Sequence, residues 1–199
     1  MEPTDGELWR RAAAGDDDAF GALFIRHAKP VYNYCFRRTA NWALAEEMTS
    51  VVFLEAWRRR KEVRLQGERA LPWLLGVATN VLRNARRAAR RHDAALARLA
   101  LDRAPDFAGD ADARMDDERE MRAVLRAVAR LPRREQDVLA LCTWAGLTCE
   151  EAALALDLPV GTVRSRLSRA RAGVRERLES KGDARNDGQR IPAEEGLSQ

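Results

Sequence analysis

Apolar residues recur at spacings of three and four wherever this chain carries them, and nowhere do they alternate. Phe20, Leu23, Phe24, His27, Val31, Tyr34 and Cys35 form one such stripe. Ala45, Met48, Val52, Phe53, Ala56 and Trp57 form another. Trp73, Leu74, Val77, Ala78, Val81 and Leu82 make a third, and Val163, Leu167, Ala170, Val174 and Leu178 a fourth. That period is the helical one, so the chain is predicted to be all-α. Only 7 prolines, 12 glycines and 6% aromatic residues occur, which disfavours sandwiches and barrels. No internal repeat is present. No stretch approaches the length of apolar chain that crosses a bilayer, so no direct membrane insertion is expected. The first residues carry acids without an apolar core, unlike a secretory leader. A cytoplasmic protein is expected.

Cys35, Cys142 and Cys149 are odd in number and make no Cys-x-x-Cys pair, so they read as small buried hydrophobes. His27 and His92 show no metal-ligand spacing. No metal or other cofactor is expected.

Charge is segregated. Residues 58–92 hold 11 basic and 2 acidic side chains, net +9. Residues 93–118 are net −5 and rich in Ala and Asp. Residues 119–181 return to net +5. Two basic blocks flanking an acidic one attract polyanions through phosphate contacts and counterion release. Arginine supplies nearly all of the positive charge, which suits bidentate phosphate and guanine contacts and equally suits a high-GC genome that writes Arg for Lys.

The predicted organisation has five parts. Residues 1–14 form a frayed tail. A first helical domain spans 15–92, an acidic flexible linker 93–118, a second helical domain 119–181, and a disordered tail 182–199. Within the first domain, Asp16, Asp17 and Asp18 precede a helix, and Pro30 predicts a kink or a fresh start. Asn41 is an N-cap for the next helix. Residues 61–70, with Gly67, read as a loop, and Pro72 opens a further helix. A short helix is possible over 94–101. In the second domain a helix stops before Pro132, and another spans 134–141. Thr148 and Glu151 make a capping box. Asp157-Leu158-Pro159 breaks that helix, and the last one starts near Val160.

Two short helices with a tight break, the second rich in Arg and Ser, predict a helix-turn-helix. On a wheel of about 100° per residue, Val163, Leu167 and Ala170 share the core face. Arg164, Ser165, Ser168 and Arg169 then point outward, where they can enter a major groove. Arg166 and Arg171 flank the core stripe.

Taken together, four segments in this order resemble a bacterial RNA polymerase sigma factor of the extracytoplasmic-function (ECF) group of the sigma-70 family. They are residues 18–32, 45–57 (AEEMTSVVFLEAW), 72–80 with its arginine-rich continuation (PWLLGVATN), and 131–136 with 159–170 (LPRREQ and PVGTVRSRLSRA). The resemblance implies sigma region 2 in the first domain and region 4 in the second. It implies core RNA polymerase and promoter DNA as partners. Glu46, Glu47, Thr49, Ser50 and Glu55 would be exposed contacts to core polymerase, with Phe53 and Trp57 in the core. Val51 stands where the family commonly has an acidic residue. Asn80, Arg83, Asn84, Arg87 and Arg90 would engage the −10 element, with a flipped base captured by the 61–70 loop. Trp73 is placed by its apolar neighbours in the core. Arg164, Ser165, Ser168 and Arg169 would read the −35 element, with Arg133 and Arg134 on its backbone. A separate anti-sigma factor, often membrane-bound, is implied as regulator. The alternative is a stand-alone helix-turn-helix transcriptional regulator. That reading leaves the 45–57 helix and the first basic block without a use. No phosphate loop, nucleophile elbow or metal cluster supports an enzyme.

Overall fold

The computed structural model describes residues 2–96 and 112–187, with side chains described over 2–91 and 115–176. Among the described residues there are eight α-helices, one π-helical turn and no strand. Helices α1 (Asp5–Ala13), α2 (Asp17–Thr39), α3 (Trp42–Arg59) and α4 (Leu71–Leu96) form an N-terminal group. Helices α5 (Asp112–Val128), α6 (Arg133–Leu139), α7 (Cys149–Leu156) and α8 (Val160–Asp187) form a C-terminal group, with the π turn Ala140–Trp144 between α6 and α7.

Local chemistry sets most boundaries. Asn41 Oδ1 accepts from the Leu44 N–H at 2.8 Å and starts α3. Thr148 and Glu151 exchange side-chain and backbone bonds and start α7 as a capping box. Asp157, in the left-handed region at φ 53°, ends α7 and lets the chain turn into α8. Helix α2 runs unbroken through Pro30, so no fresh start occurs there. Pro30 lacks an N–H, so only one hydrogen bond of the ladder is lost, the one to the Arg26 carbonyl.

The expected frayed start is corrected. Residues 5–13 are helical because Thr4 and Glu7 form a second capping box. Leu8, Trp9 and Ala12 of this helix are buried, and Trp9 donates Nε1–H to the Val63 carbonyl at 2.9 Å. Burying a ring of that size removes roughly 200 Å² from water, worth about 5 kcal/mol at about 25 cal/mol/Å². Trp73 meets Trp9 edge to face, with ring centroids 4.9 Å apart, so it packs in the domain as expected. Helix runs into both of the segments expected as linker and tail. Helix α4 continues to Leu96, α5 begins at Asp112, and α8 reaches Asp187. The rest of the 94–101 helix, the linker centre 97–111 and the tail 188–199 lie outside the described residues. The helix expected over 134–141 ends at Leu139 and passes into the π turn.

Asp5 ties α1 to the fold. Its carboxylate accepts from Arg26 Nη1 at 2.7 Å, from His27 Nε2–H at 2.8 Å and from the Ala70 N–H at 2.8 Å. Burial alone would raise the Asp5 pKa, but the bonds from Ala70, Arg26 and His27 hold it below its ordinary 3.8. Burial pushes His27 below its ordinary 6.5, against the attraction of Asp5. Both shifts have the same consequence, because the unfolded chain binds the proton first. The contribution of His27 is complete above pH 6.5 and is lost as pH falls. That of Asp5 is lost below pH 3.8. Urea midpoints are therefore expected to fall between pH 7.5 and pH 5.5, and His27→Gln should flatten that first decline. An unchanged decline in the variant would assign it to another group.

The two groups pack on each other along α4 and α7. A Cβ at Gly76 would lie 2.3 Å from the Ala155 carbonyl oxygen, so only glycine permits this approach of the two helices. Trp144 accepts a bond from Arg37 through its carbonyl, and Glu118 accepts from the Trp42 N–H at 3.0 Å. Arg69 and Glu151 pair across the same seam.

Candidate nucleic-acid interface

Helix α8 carries its predicted face outward. Val163, Leu167 and Ala170 are buried, while Arg164, Ser165, Ser168 and Arg169 are exposed. Arg164 donates to Glu150 at 2.5 Å, and Arg169 Nε lies 3.2 Å from Glu135. Its own backbone N–H and Arg164 hold the Glu150 carboxyl below the ordinary range. Ser165 donates to the Thr162 carbonyl at 3.2 Å. These contacts lie on the surface, where ion pairs are weak and guanidinium groups exchange readily to phosphate or base acceptors. Arg133 and Arg134 are exposed at the first turn of α6.

A second basic face runs along α4. Asn80 and Asn84 are exposed, and each accepts from an arginine one turn on, Arg83 and Arg87 respectively. Arg87 and Arg90 are exposed. Arg83 is different. Its Nε and Nη2 reach Asp137 Oδ2 at 3.0 and 2.7 Å, so α6 of the other group holds it.

The polar face of α3 lies apart from these arginines in chain and on its own helix. Glu46, Glu47 and Ser50 are exposed, and Glu55 is half-buried against Arg58 at 3.1 Å. Thr49 is a correction. It is 8% exposed and donates to the Ala45 carbonyl at 2.7 Å, so it belongs to the core stripe and offers nothing to a partner. Its hydroxyl is satisfied within its own helix, which is why a polar residue is tolerated there. Phe53 is buried, and Trp57 is half-buried under the Arg60 guanidinium at 3.4 Å. Leu54, 47% exposed, adds an apolar centre to the α3 face that the polar candidates had left out.

Sequence reasoning missed the residues that join the two groups. Arg38 and Asp137 have side chains only 5% exposed and meet at 2.5 Å. Arg38 also donates to the Gln136 carbonyl at 3.2 Å, and Arg86 donates to the Arg38 carbonyl at 2.8 Å. A signal existed in each helix separately. Arg38 follows Val31, Tyr34 and Cys35 at spacings of seven, four and three, and Asp137 stands three and four residues before buried Ala140 and Leu141. A charge in core register implies a buried partner, though not which one.

Cys35 is buried and Cys142 is half-buried, and burial pushes both thiols up to about 11. Among the described residues no group of His, Cys, Asp and Glu could hold a metal, and no helix is long and apolar enough to cross a membrane.

Comparison with known proteins places each helical group in a family. Residues 23–92 match the family described as Sigma-70 region 2, and residues 121–172 match Sigma-70, region 4. The chain is 33% identical over 166 residues to the RNA polymerase sigma factor CarQ of Myxococcus xanthus, covering 82% of this chain and 91% of CarQ. It is 30% identical over 164 residues to the ECF RNA polymerase sigma factor BldN of Streptomyces coelicolor, covering 82% of this chain but only 62% of BldN. The fold is similar to that of CnrH, solved in complex with the cytosolic domain of CnrY, with a TM-score of 0.65 at 23% identity over 88% of this chain and 97% of that one. It is also similar to RpoE of Bartonella quintana, solved with the anti-sigma factor NepR, with a TM-score of 0.53 at 19% identity over 80% and 96% of the two chains. The chain belongs to the sigma-70 family of RNA polymerase sigma factors, in its ECF group.

Proposed function

We propose that this sigma factor uses three separate faces to direct core RNA polymerase to promoters. The α3 face, with Glu46, Glu47, Ser50 and Glu55, docks on polymerase. The α4 face, with Asn80, Arg83, Asn84, Arg87 and Arg90, engages the −10 element. The α8 face, with Arg164, Ser165, Ser168 and Arg169, reads the −35 element while Arg133 and Arg134 brace its backbone. The domains are region 2 within 15–92 and region 4 within 119–181. The observation that carries this reading is the outward set on α8, four polar side chains on one face of a helix whose opposite face is core. The protein works without catalysis of its own, in the cytoplasm. An anti-sigma polypeptide is its regulator, by analogy with the partners CnrY and NepR solved with its structural relatives. A stand-alone regulator would bind duplex tightly without polymerase, and it leaves the α3 face idle.

Run-off transcription with core polymerase on a genomic promoter pool tests the proposal. New discrete transcripts sharing two upstream motifs are the expected result. Absence of transcripts and of core binding, with tight duplex binding by the chain alone, would favour the stand-alone regulator. Glu47→Arg is expected to weaken capture by core polymerase while leaving the helical circular-dichroism signal intact. Loss of that signal would make Glu47 structural. Arg169→Ala is expected to lose about 1–3 kcal/mol of discrimination at one position of the −35 element. An equal loss at every promoter would make Arg169 a phosphate contact.

A further inference from the structure

A cleft of about 610 Å³ opens between α4, α6 and the turn joining α7 to α8. Its walls come from both helical groups, so it exists only while they are docked. Seven arginines line it, and Asp137 is its one lining carboxylate. Arg38 and Arg83 consume that carboxylate. Arg86, Arg87, Arg133, Arg134 and Arg166 line the same cleft with no carboxylate partner among the described residues, Arg86 donating only to the Arg38 carbonyl and Arg87 only to Asn84 Oδ1. A neighbouring depression of about 810 Å³ shares Arg86 and Arg133 with the cleft and adds Arg90 and Arg126, with Arg122 paired to Glu118. Burial lowers the Arg86 pKa, and Arg38, Arg133 and Arg90 lower it further against the pull of Asp137.

Guanidinium groups gathered around one cleft repel each other, and an anion between them relieves that repulsion. The anion that fits must be compact, multiply charged and rich in acceptor oxygens. A lone carboxylate offers too little charge, and a duplex is too wide for the cleft. A chain of two or three phosphoryl groups places several charges within one small volume and presents paired oxygens to each arginine fork. Leu156 and Leu158 add an apolar lip on one side, where the sugar or base of a nucleotide can rest.

We propose that this interdomain arginine cleft is a binding site for an oligophosphate, supplied either as inorganic oligophosphate or as the phosphate chain of a nucleoside triphosphate. Occupancy joins the two groups, because α4 and α6 with α8 grip one ligand from opposite sides. It also takes Arg87, Arg133 and Arg134 away from promoter phosphates, a consequence that rests on the proposed DNA faces. Binding itself does not depend on that reading.

The test is calorimetric titration of the full chain, without polymerase or DNA, with sodium tripolyphosphate at about 0.15 M salt, where surface attraction is screened. One saturable site per chain is expected. Arg87→Ala and Arg166→Ala, one from each wall, should each weaken it at least tenfold. Arg164→Ala and Arg169→Ala remove the same charge from the outer face of α8 and should change the affinity less than twofold. A nucleoside triphosphate binding tighter than tripolyphosphate assigns the nucleotide, and equal binding assigns the phosphate chain alone. Either supports the site. Absence of saturation, equal weakening by all four variants, or a nucleoside monophosphate binding as tightly as the triphosphate would overturn it. Run-off transcription remains a separate readout, so failure of the cleft and failure of the sigma reading are told apart.

Discussion

Replacing Asp137 with alanine is expected to release the C-terminal helical group from the N-terminal one. Asp137 is 3% exposed and stands between Arg38 and Arg83. Its removal leaves the Arg38 guanidinium, itself buried, without a counter-charge. Breaking a buried pair from one side costs about 3–5 kcal/mol. The chain has a cheaper route than unfolding, since separating the groups returns Arg38 to water. The measurable result is a larger radius of gyration by small-angle scattering and separate melting of the two groups, with helix content kept. Gly76 marks where the seam opens, because α4 and α7 approach there too closely for any side chain. The double variant Arg38→Met with Asp137→Leu should recover much of the compact form, because apolar replacement removes the unpaired charge. An unchanged radius in Asp137→Ala would mean that packing alone holds the groups together.

Asp5→Ala is expected to cost roughly 2–5 kcal/mol of global stability, read from urea denaturation at pH 7.5. The buried Ala70 N–H and His27 Nε2–H would lose their acceptor, and each unsatisfied buried donor costs about 1–3 kcal/mol. Arg26, partly exposed, finds water and adds little. The Asp5 contacts hold α1 against the 61–70 loop, so Trp9 should loosen as well, and its fluorescence should shift to the red. Asp5→Asn retains one acceptor and should lose less. A cost below about 1 kcal/mol would mean that the donors are rehydrated without penalty.

These two carboxylates show where sequence reading stopped. The outward polar face of α8, the stripe of α3 and the caps at Asn41 and Thr148 were all legible. Each depends on residues three or four apart, a distance that the helix itself fixes. The same rule should have revealed α1, since Thr4 and Glu7 carry the spacing of Thr148 and Glu151. Its acid-rich surroundings masked a short apolar face of Leu8, Trp9 and Ala12. Thr49 was misjudged for the opposite reason. Residue type suggested exposure, whereas its place in the stripe of Ala45, Val52 and Ala56 made it core.

By itself, the sequence determined an all-helical chain, two basic blocks, and the residues that a helix-turn-helix turns outward. Periodicity and capping are local physics, and local physics is written in neighbouring letters. The docking of the two groups was decided only in three dimensions. Arg38 and Asp137 are 99 residues apart, and nothing along the chain selects one from the other. Their pairing depends on burial, because desolvation makes a charge demand one particular partner that water would otherwise replace. The same docking collects arginines from α4, α6 and α8 into one cleft, and spreads others along open faces.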